Sequence, residues 1–169
     1  MMQTDVKQAH LNQSGQMIIG RARVKAIAFV GTANTGQFIL FDTTTAPVIT
    51  GTYGRSGTTV TVTQTAHGLV TGQVIGIDYN NGTGGSPTPG NFAVTRVDAN
   101  TFTVTDINSG TITGAANCQY TTGRWLMTFD ISAGDTYNNS QLLPGEGVLA
   151  LDGVYMYGAN ITAVSIFYG

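Results

Sequence analysis

Charge is what this sequence of 169 residues has least of: Asp, Glu, Lys and Arg together make up 9% of it, against roughly 25% in ordinary soluble domains. The net charge is −2 and no basic run occurs. A phosphate backbone is held by clustered Lys and Arg, so no nucleic-acid partner is expected. Cysteine is almost absent. Cys118 stands alone, which excludes an intramolecular disulfide and any zinc site of four cysteines. It is expected to be a small buried hydrophobe. Long apolar runs are missing too: none approaches the roughly 20 residues that span a bilayer. The opening Met1-Met2-Gln3-Thr4-Asp5-Val6-Lys7 lacks the apolar centre of a signal peptide. The chain therefore reads as a soluble protein made in a cytoplasm, with no membrane partner. Amphipathic helical periodicity beyond a turn or two is also lacking.

What is there belongs to β-structure. The apolar share is 41%, enough for a core, and glycine reaches 23 residues among many Thr, Asn and Ser. Uncharged hydroxyl and amide groups must cover the surface, which suits a pleated sheet better than a helix. Residues 1–20 show no clear alternation and hold a short apolar cluster, Met17-Ile18-Ile19. They read either as an extended arm that docks these three side chains on a neighbour or as a frayed terminus. From Arg21 to Ala26 polar and apolar residues alternate, then the run turns apolar to Val30, as in a half-buried strand entering a core. Gln37 to Asp42 is a second strand, and the pair reads as a hairpin. Arg21, Arg23 and Lys25, spaced by two, form either a solvated strand face or a docking surface.

The texture changes in the middle third. Thr58–Thr65, Val74–Tyr79, Phe92–Val97 and Thr101–Thr105 read as short strands separated by turn residues every 8–12 positions, the spacing of small sandwiches and barrels. Asn80 to Asn91 has the composition of an exposed, flexible connection. After Gly123 bulkier strands return at Arg124–Ile131, Val154–Tyr157 and Ile161–Tyr168. Residues 51–57 and 110–123 are taken as linkers between the two textures.

Candidate chemistry is sparse. His10 and His67 are far apart and lack a carboxylate cluster, so they make a poor metal site. His67, beside Gly68, is expected to cap backbone groups in a turn. The carboxylates of Asp42, Asp78, Asp98, Asp106, Asp130, Asp135 and Asp152 fall at strand ends, where Asp bonds nearby N–H groups. A retaining glycosidase would need two of them to converge. Gly82-Thr83-Gly84-Gly85 lacks the Lys and the following helix of a phosphate-binding loop. No catalytic, cofactor or metal residue is assigned. Tyr155, Tyr157, Phe167 and Tyr168 are read as core residues, with subunit contact as the other role open to them.

Two sets of phrases carry a resemblance. Thr65-Ala66-His67-Gly68-Leu69-Val70-Thr71-Gly72-Gln73-Val74-Ile75, with Val97-Asp98-Ala99-Asn100-Thr101-Phe102-Thr103-Val104 downstream, resembles a small β module found in phage virion proteins, over about residues 56–107. The flanks, Gly20-Arg21-Ala22-Arg23-Val24-Lys25 with Leu143-Pro144-Gly145-Glu146-Gly147-Val148-Leu149 and Val164-Ser165-Ile166-Phe167-Tyr168-Gly169, resemble short β-sandwich virion proteins of tailed bacteriophages. The resemblance implies an all-β chain: an antiparallel, jelly-roll-like β-sandwich at 21–49 and 124–169, a small inserted β-barrel or sandwich domain at 50–123, and an arm at 1–20. It implies a non-enzymatic structural accessory of the virion, as a capsid decoration, cement or head fibre, or a tail component. Its partners would be other virion proteins and copies of itself, a trimer being favoured. Met17, Ile18, Ile19, Arg21, Arg23 and Lys25 are the candidate partner-binding residues. The competing expectation is a tail module that binds a host-surface glycan through loops of the inserted domain.

Overall fold

The computed structural model describes residues 6–49 and 52–169, and for 114–116 the backbone alone. The described residues form sixteen strands and no helix: β1 (Lys7–Leu11), β2 (Gly15–Ile19), β3 (Ala22–Gly31), β4 (Gly36–Asp42), β5 (Val48–Ile49), β6 (Thr52–Thr63), β7 (Val74–Tyr79), β8 (Gly90–Ala93), β9 (Thr95–Arg96), β10 (Thr101–Ala116), β11 (Cys118–Thr121), β12 (Arg124–Ile131), β13 (Asn139–Leu142), β14 (Val148–Ala150), β15 (Gly153–Ala159) and β16 (Ile161–Tyr168). All the pairings between them are antiparallel. The chain divides into two compact units, one of the residues up to Ala46 with Leu126–Gly169, the other of Pro47–Trp125.

The first unit is a β-sandwich. One sheet runs β1-β16-β3 and then β13 and β14, and the other runs β12-β4-β15-β2. If β13 and β14 are counted as one interrupted strand, the eight strands lie in the order 1-8-3-6 against 5-4-7-2. That is a jelly roll, the double-sheet solution of two Greek keys. Val24, Ile27, Val164 and Ile166 from the first sheet meet Phe38, Leu40, Val154 and Met156 from the second in one buried cluster. Phe38 stacks on Phe129 at 4.8 Å and tilts against Phe29 at 5.3 Å, contacts worth about 0.5–1.5 kcal/mol each beyond burial.

A buried carboxylate closes one end of this core. Asp42, at the end of β4, accepts the N–H groups of Leu151, Asp152 and Gly153 at 2.8–3.2 Å. The Asp-Gly turn between β14 and β15 is thereby tied to the facing sheet.

The hairpin expected of residues 21–42 is not formed. β3 and β4 lie in different sheets, and the 32–35 connection crosses between them. Its glycines match because two corners meet: a Cβ on Gly36 would lie 2.5 Å from the Asn160 carbonyl. Asn160, in the left-handed region at φ 52°, donates from its side chain to the Thr35 carbonyl. Nor are residues 7–19 an arm. β1 pairs with β16 and buries Ala9 and Leu11 against the core, and β2 pairs with β15. A register shift between Val154 and Tyr155 leaves Met17 as an extra residue in β2, and a bulge breaks the period-two pattern. Residues 1–5 of the expected arm lie outside the described residues.

The second unit has its own core between a β6-β10-β9 sheet and a β5-β11-β7-β8 sheet. Val60, Val62, Phe102 and Val104 face Ile75, Ile77, Cys118 and Tyr120. The expected linkers are strand here. Thr52–Gly57 belongs to β6, and Gly110 pairs with Gly57 within β10; Gly51 lies outside the described residues. Residues 118–121 make β11, with Cys118 and Tyr120 buried. Phe92–Val97 is broken at Val94, which turns inward at 1% exposure while β8 and β9 join different sheets.

Because β4 and β12 are neighbours in one sheet, the sandwich is expected to survive excision of the second unit. Replacing residues 47–123 by a short Gly/Ser linker should leave a cooperatively melting β protein; an unfolded product would show that the sandwich core does not stand alone. Asp42→Ala removes charge-assisted bonds and strands three N–H groups, so it should lower the free energy of unfolding by about 2–4 kcal/mol, read by urea denaturation.

Candidate interaction surfaces

The six residues singled out from the sequence do not form one surface. Ile18 is buried at 7% exposure and Met17 packs partly against the sandwich core, whereas Ile19 is 81% exposed on the outer strand β2. Two of the three apolar side chains are thus committed to the protein's own fold. Arg21 precedes β3 and is exposed, while Arg23 and Lys25 are half-buried on β3. The Arg23 guanidinium reaches the Glu146 carboxylate at 3.5 Å, an exposed pair worth about 0–1 kcal/mol.

The phrases at the two ends of the chain are brought together by this same strand. β14 lies on β3 with Val148 opposite Val24 and Leu149 opposite Arg23, and Tyr168 of β16 is also opposite Val24. Lys25 is skipped in the β16 register, and its carbonyl accepts the Leu143 N–H. The loop Pro144-Gly145-Glu146-Gly147 interrupts the strand here. Gly147 has φ +80°, and a Cβ there would sit 2.2 Å from the Val24 carbonyl oxygen, so the close approach admits only glycine.

The two phrases of the second unit also close on each other. His67 accepts the Leu69 N–H at Nδ1, and its Nε2 lies 3.0 Å from the Asp98 carbonyl. These bonds agree with a neutral ring protonated at Nε2, which donates to that carbonyl. The ring meets Phe102 edge-on at 5.2 Å. The Asn100 side chain accepts the Ala66 N–H, and Asp98 accepts the Asn100 N–H. The imidazole caps a turn, as its place beside Gly68 suggests.

The loop at 80–91 is tied down along much of its length. Gly82 bonds Gly85, Thr83 bridges Thr113 of β10, and the Thr88 N–H donates to Asp106. Its Gly-rich composition hides this, because the bonds are made by backbone groups. Asp106 also accepts from the Arg55 guanidinium, and the pair is buried, with side chains 1% and 10% exposed. Burial works to raise the Asp106 carboxyl, but donors from Asn108, Arg55 and Thr88 outweigh it and hold the group below the usual carboxylate range. Burial, foremost, pushes the Tyr53 phenol up to about 12 and the Tyr79 phenol well above its ordinary value. These groups secure the small core and do not converge on a cleft. Among the described residues no three His, Cys, Asp or Glu side chains are grouped to hold a metal ion.

Two surfaces escaped the sequence reading. One is the outer edge of the first sheet, where Tyr137 and Leu142 are 79% and 81% exposed at β13. The other is a trough of about 320 Å³ on that sheet's outer face, lined by Gln8, His10, Ala28, Asn138, Ser165 and Phe167 among others. The alternation Ala163, Ser165, Phe167 against Val164, Ile166 in β16 marks its floor in the sequence, but only the pairing of β1 with β16 supplies a wall.

Comparison with known proteins adds little. No family model matches the chain, and no curated protein matches it. Among solved structures, a portion of the phage phi92 endosialidase is similar at 26% identity and a TM-score of 0.33, over 58% of this chain. The chain spans 14% of that protein's length, and a likeness this loose carries no argument about fold or activity.

The Arg55–Asp106 pair has a pH signature. A carboxyl depressed in the folded state stabilises above its unfolded value, about 3.9, and loses that contribution as pH falls toward the folded value. Asp106→Asn, which leaves Arg55 buried without a countercharge, should cost about 3–5 kcal/mol at neutral pH. Its denaturation midpoint should then fall less between pH 5 and pH 2 (roughly,) than the parent's. Parallel pH curves for the two proteins would refute the assignment.

Proposed function

We propose that this chain is a non-enzymatic structural component of a tailed-phage virion and acts by protein–protein assembly. The observation that carries the assembly reading is the state of the sandwich edges. β2 and β13 are outermost strands, contain no charged residue, and expose Ile19 and Leu142 at 81% each, with Tyr137 at 79% just before β13. An open strand edge invites pairing, and proteins that stay single blunt it with charge, proline or cover. An edge that has neither charge nor proline suits a subunit whose neighbours complete it.

The phage assignment rests on the sequence phrases. Their support from the geometry is internal: the segments Gly20–Lys25, Leu143–Leu149 and Val164–Gly169 are partner strands, and the His67 and Asp98–Asn100 segments form one clasp. Each set therefore reads as one structural unit inherited together. The chain is proposed to work on the virion as a homo-oligomer, with a trimer favoured. The place on the particle, head or tail, follows from copy number: hundreds of copies mean a decoration, a few tens or fewer a tail component.

Quantitative mass spectrometry of purified particles gives that number, and absence from particles would overturn the assignment. Sedimentation of the purified protein should show a trimer that Leu142→Lys and Ile19→Lys convert toward monomer with unchanged melting temperature. A parent protein that is monomeric both in solution and on particles would overturn the assembly reading.

A further inference from the structure

The trough on the outer face of the first sheet has no role in the sandwich core or in the proposed edge contacts. It is built from register. Across β16 and β3, Ser165 stands opposite Ala28, and Ala163 opposite Val30. On the far side, His10 of β1 stands opposite Ser165, and Gln8 opposite Phe167. The two central strands thus put small side chains on the floor, and Gln8, His10, Asn138 and Phe167 stand around it.

The lining chemistry narrows the ligand. No Lys, Arg, Asp or Glu lines the trough, so it offers no countercharge to a phosphate, a sulfate, a sialic acid or a metal ion. It is not purely apolar either. The exposed side chains of Gln8 and Asn138 make no hydrogen bond among the described residues, and each amide carries both donors and an acceptor. His10 Nδ1 is bonded to the Ser165 hydroxyl at 2.9 Å, which orients the ring and leaves Nε2 as a further polar atom. Phe167 adds an aromatic side chain. At about 320 Å³ the trough sits at the small end of the range for ligand sites, roughly 300–1,000 Å³.

Uncharged amides at the rim, an imidazole, an aromatic side chain and a flat floor of small residues match one class of molecule. A neutral pyranose presents hydroxyls around its edge and a face of C–H groups that packs on an aromatic ring. We propose that this trough binds a neutral saccharide, one ring of which lies over Ala28 and Ala163 with its hydroxyls toward Gln8, His10 and Asn138. The site is on the sandwich, apart from the loops of the inserted unit, and it stands or falls independently of the assembly reading.

The test is a titration of the ¹⁵N-labelled protein, followed by NMR, with glucose, galactose, mannose, N-acetylglucosamine and their short oligomers, beside sialyllactose and a sulfated galactose. At least one neutral sugar should move the amide signals of residues 8–10, 28, 138 and 163–167. The affinity expected of so open a site is on the order of millimolar. The double variant Gln8→Ala/Asn138→Ala, altered only at exposed positions, should bind roughly tenfold more weakly. Ala28→Leu, which fills the floor, should abolish the shifts while the remaining spectrum stays dispersed. The proposal is overturned if no neutral sugar shifts these signals, if the charged sugars bind more tightly than their neutral parents, or if the shifts fall in residues 80–91. It is equally overturned if the trough signals move with protein concentration alone, which would make a second copy the occupant, or if both variants bind like the parent.

Discussion

Everything in the architecture depends on two strands that lie side by side. β4 leaves the sandwich and β12 returns to it as neighbours in one sheet, so the chain departs and comes back within about one strand spacing, ~4.8 Å. A sheet can accept an insertion at such a point without opening its core, because closing a longer loop costs little more than closing a short one. The jelly roll therefore tolerates 79 intervening residues, Pro47–Trp125, in what would otherwise be a tight connection. The second unit meets the same condition from its side, with its own buried cluster drawn wholly from residues 53–120.

Within that frame, specific polar contacts do what a surface so short of charge cannot. Asp42 gathers three N–H groups, Asn100 and His67 clasp two distant turns, and Asp106 holds Arg55, Thr88 and Asn108. Each is a buried or half-buried acceptor surrounded by donors that a strand ladder leaves over. This is where the acidic residues are spent: of the carboxylates, Asp42, Asp78 and Asp106 are among the buried polar side chains. The outer surface is left to hydroxyls, amides and the occasional exposed hydrophobe.

The β-class, the inserted arrangement and most strand positions were legible because alternation and turn residues are local signals. Thr58–Thr63 and Ile161–Tyr168 show them plainly. What was not legible has three physical causes. A bulge at Met17 broke the alternation of β2, so a core strand looked like an arm. Glycine pairs, Gly57 with Gly110, gave strand backbone a linker's composition. Finally, which strand pairs with which is a long-range matter: β3 and β4 are adjacent in sequence and each is half-buried or buried, yet they belong to opposite sheets. The candidate surfaces suffered most from this, since the trough joins residue 8 to residues 138 and 167.

The strand β12 has a mechanical consequence. It begins at Arg124, inside the second unit, and runs unbroken to Ile131 in the sandwich. A load applied through the second unit therefore enters the sandwich at the common end of β4 and β12. Antiparallel strands pulled from the same end lose their hydrogen bonds singly and in sequence, like a zip, and resist far less than strands pulled lengthwise past each other. A force along β12 meets the Phe38–Phe129 stack as the first obstacle that does not yield in this stepwise way. The sandwich would give way under tension at its insertion seam, well before β16 slides from β3.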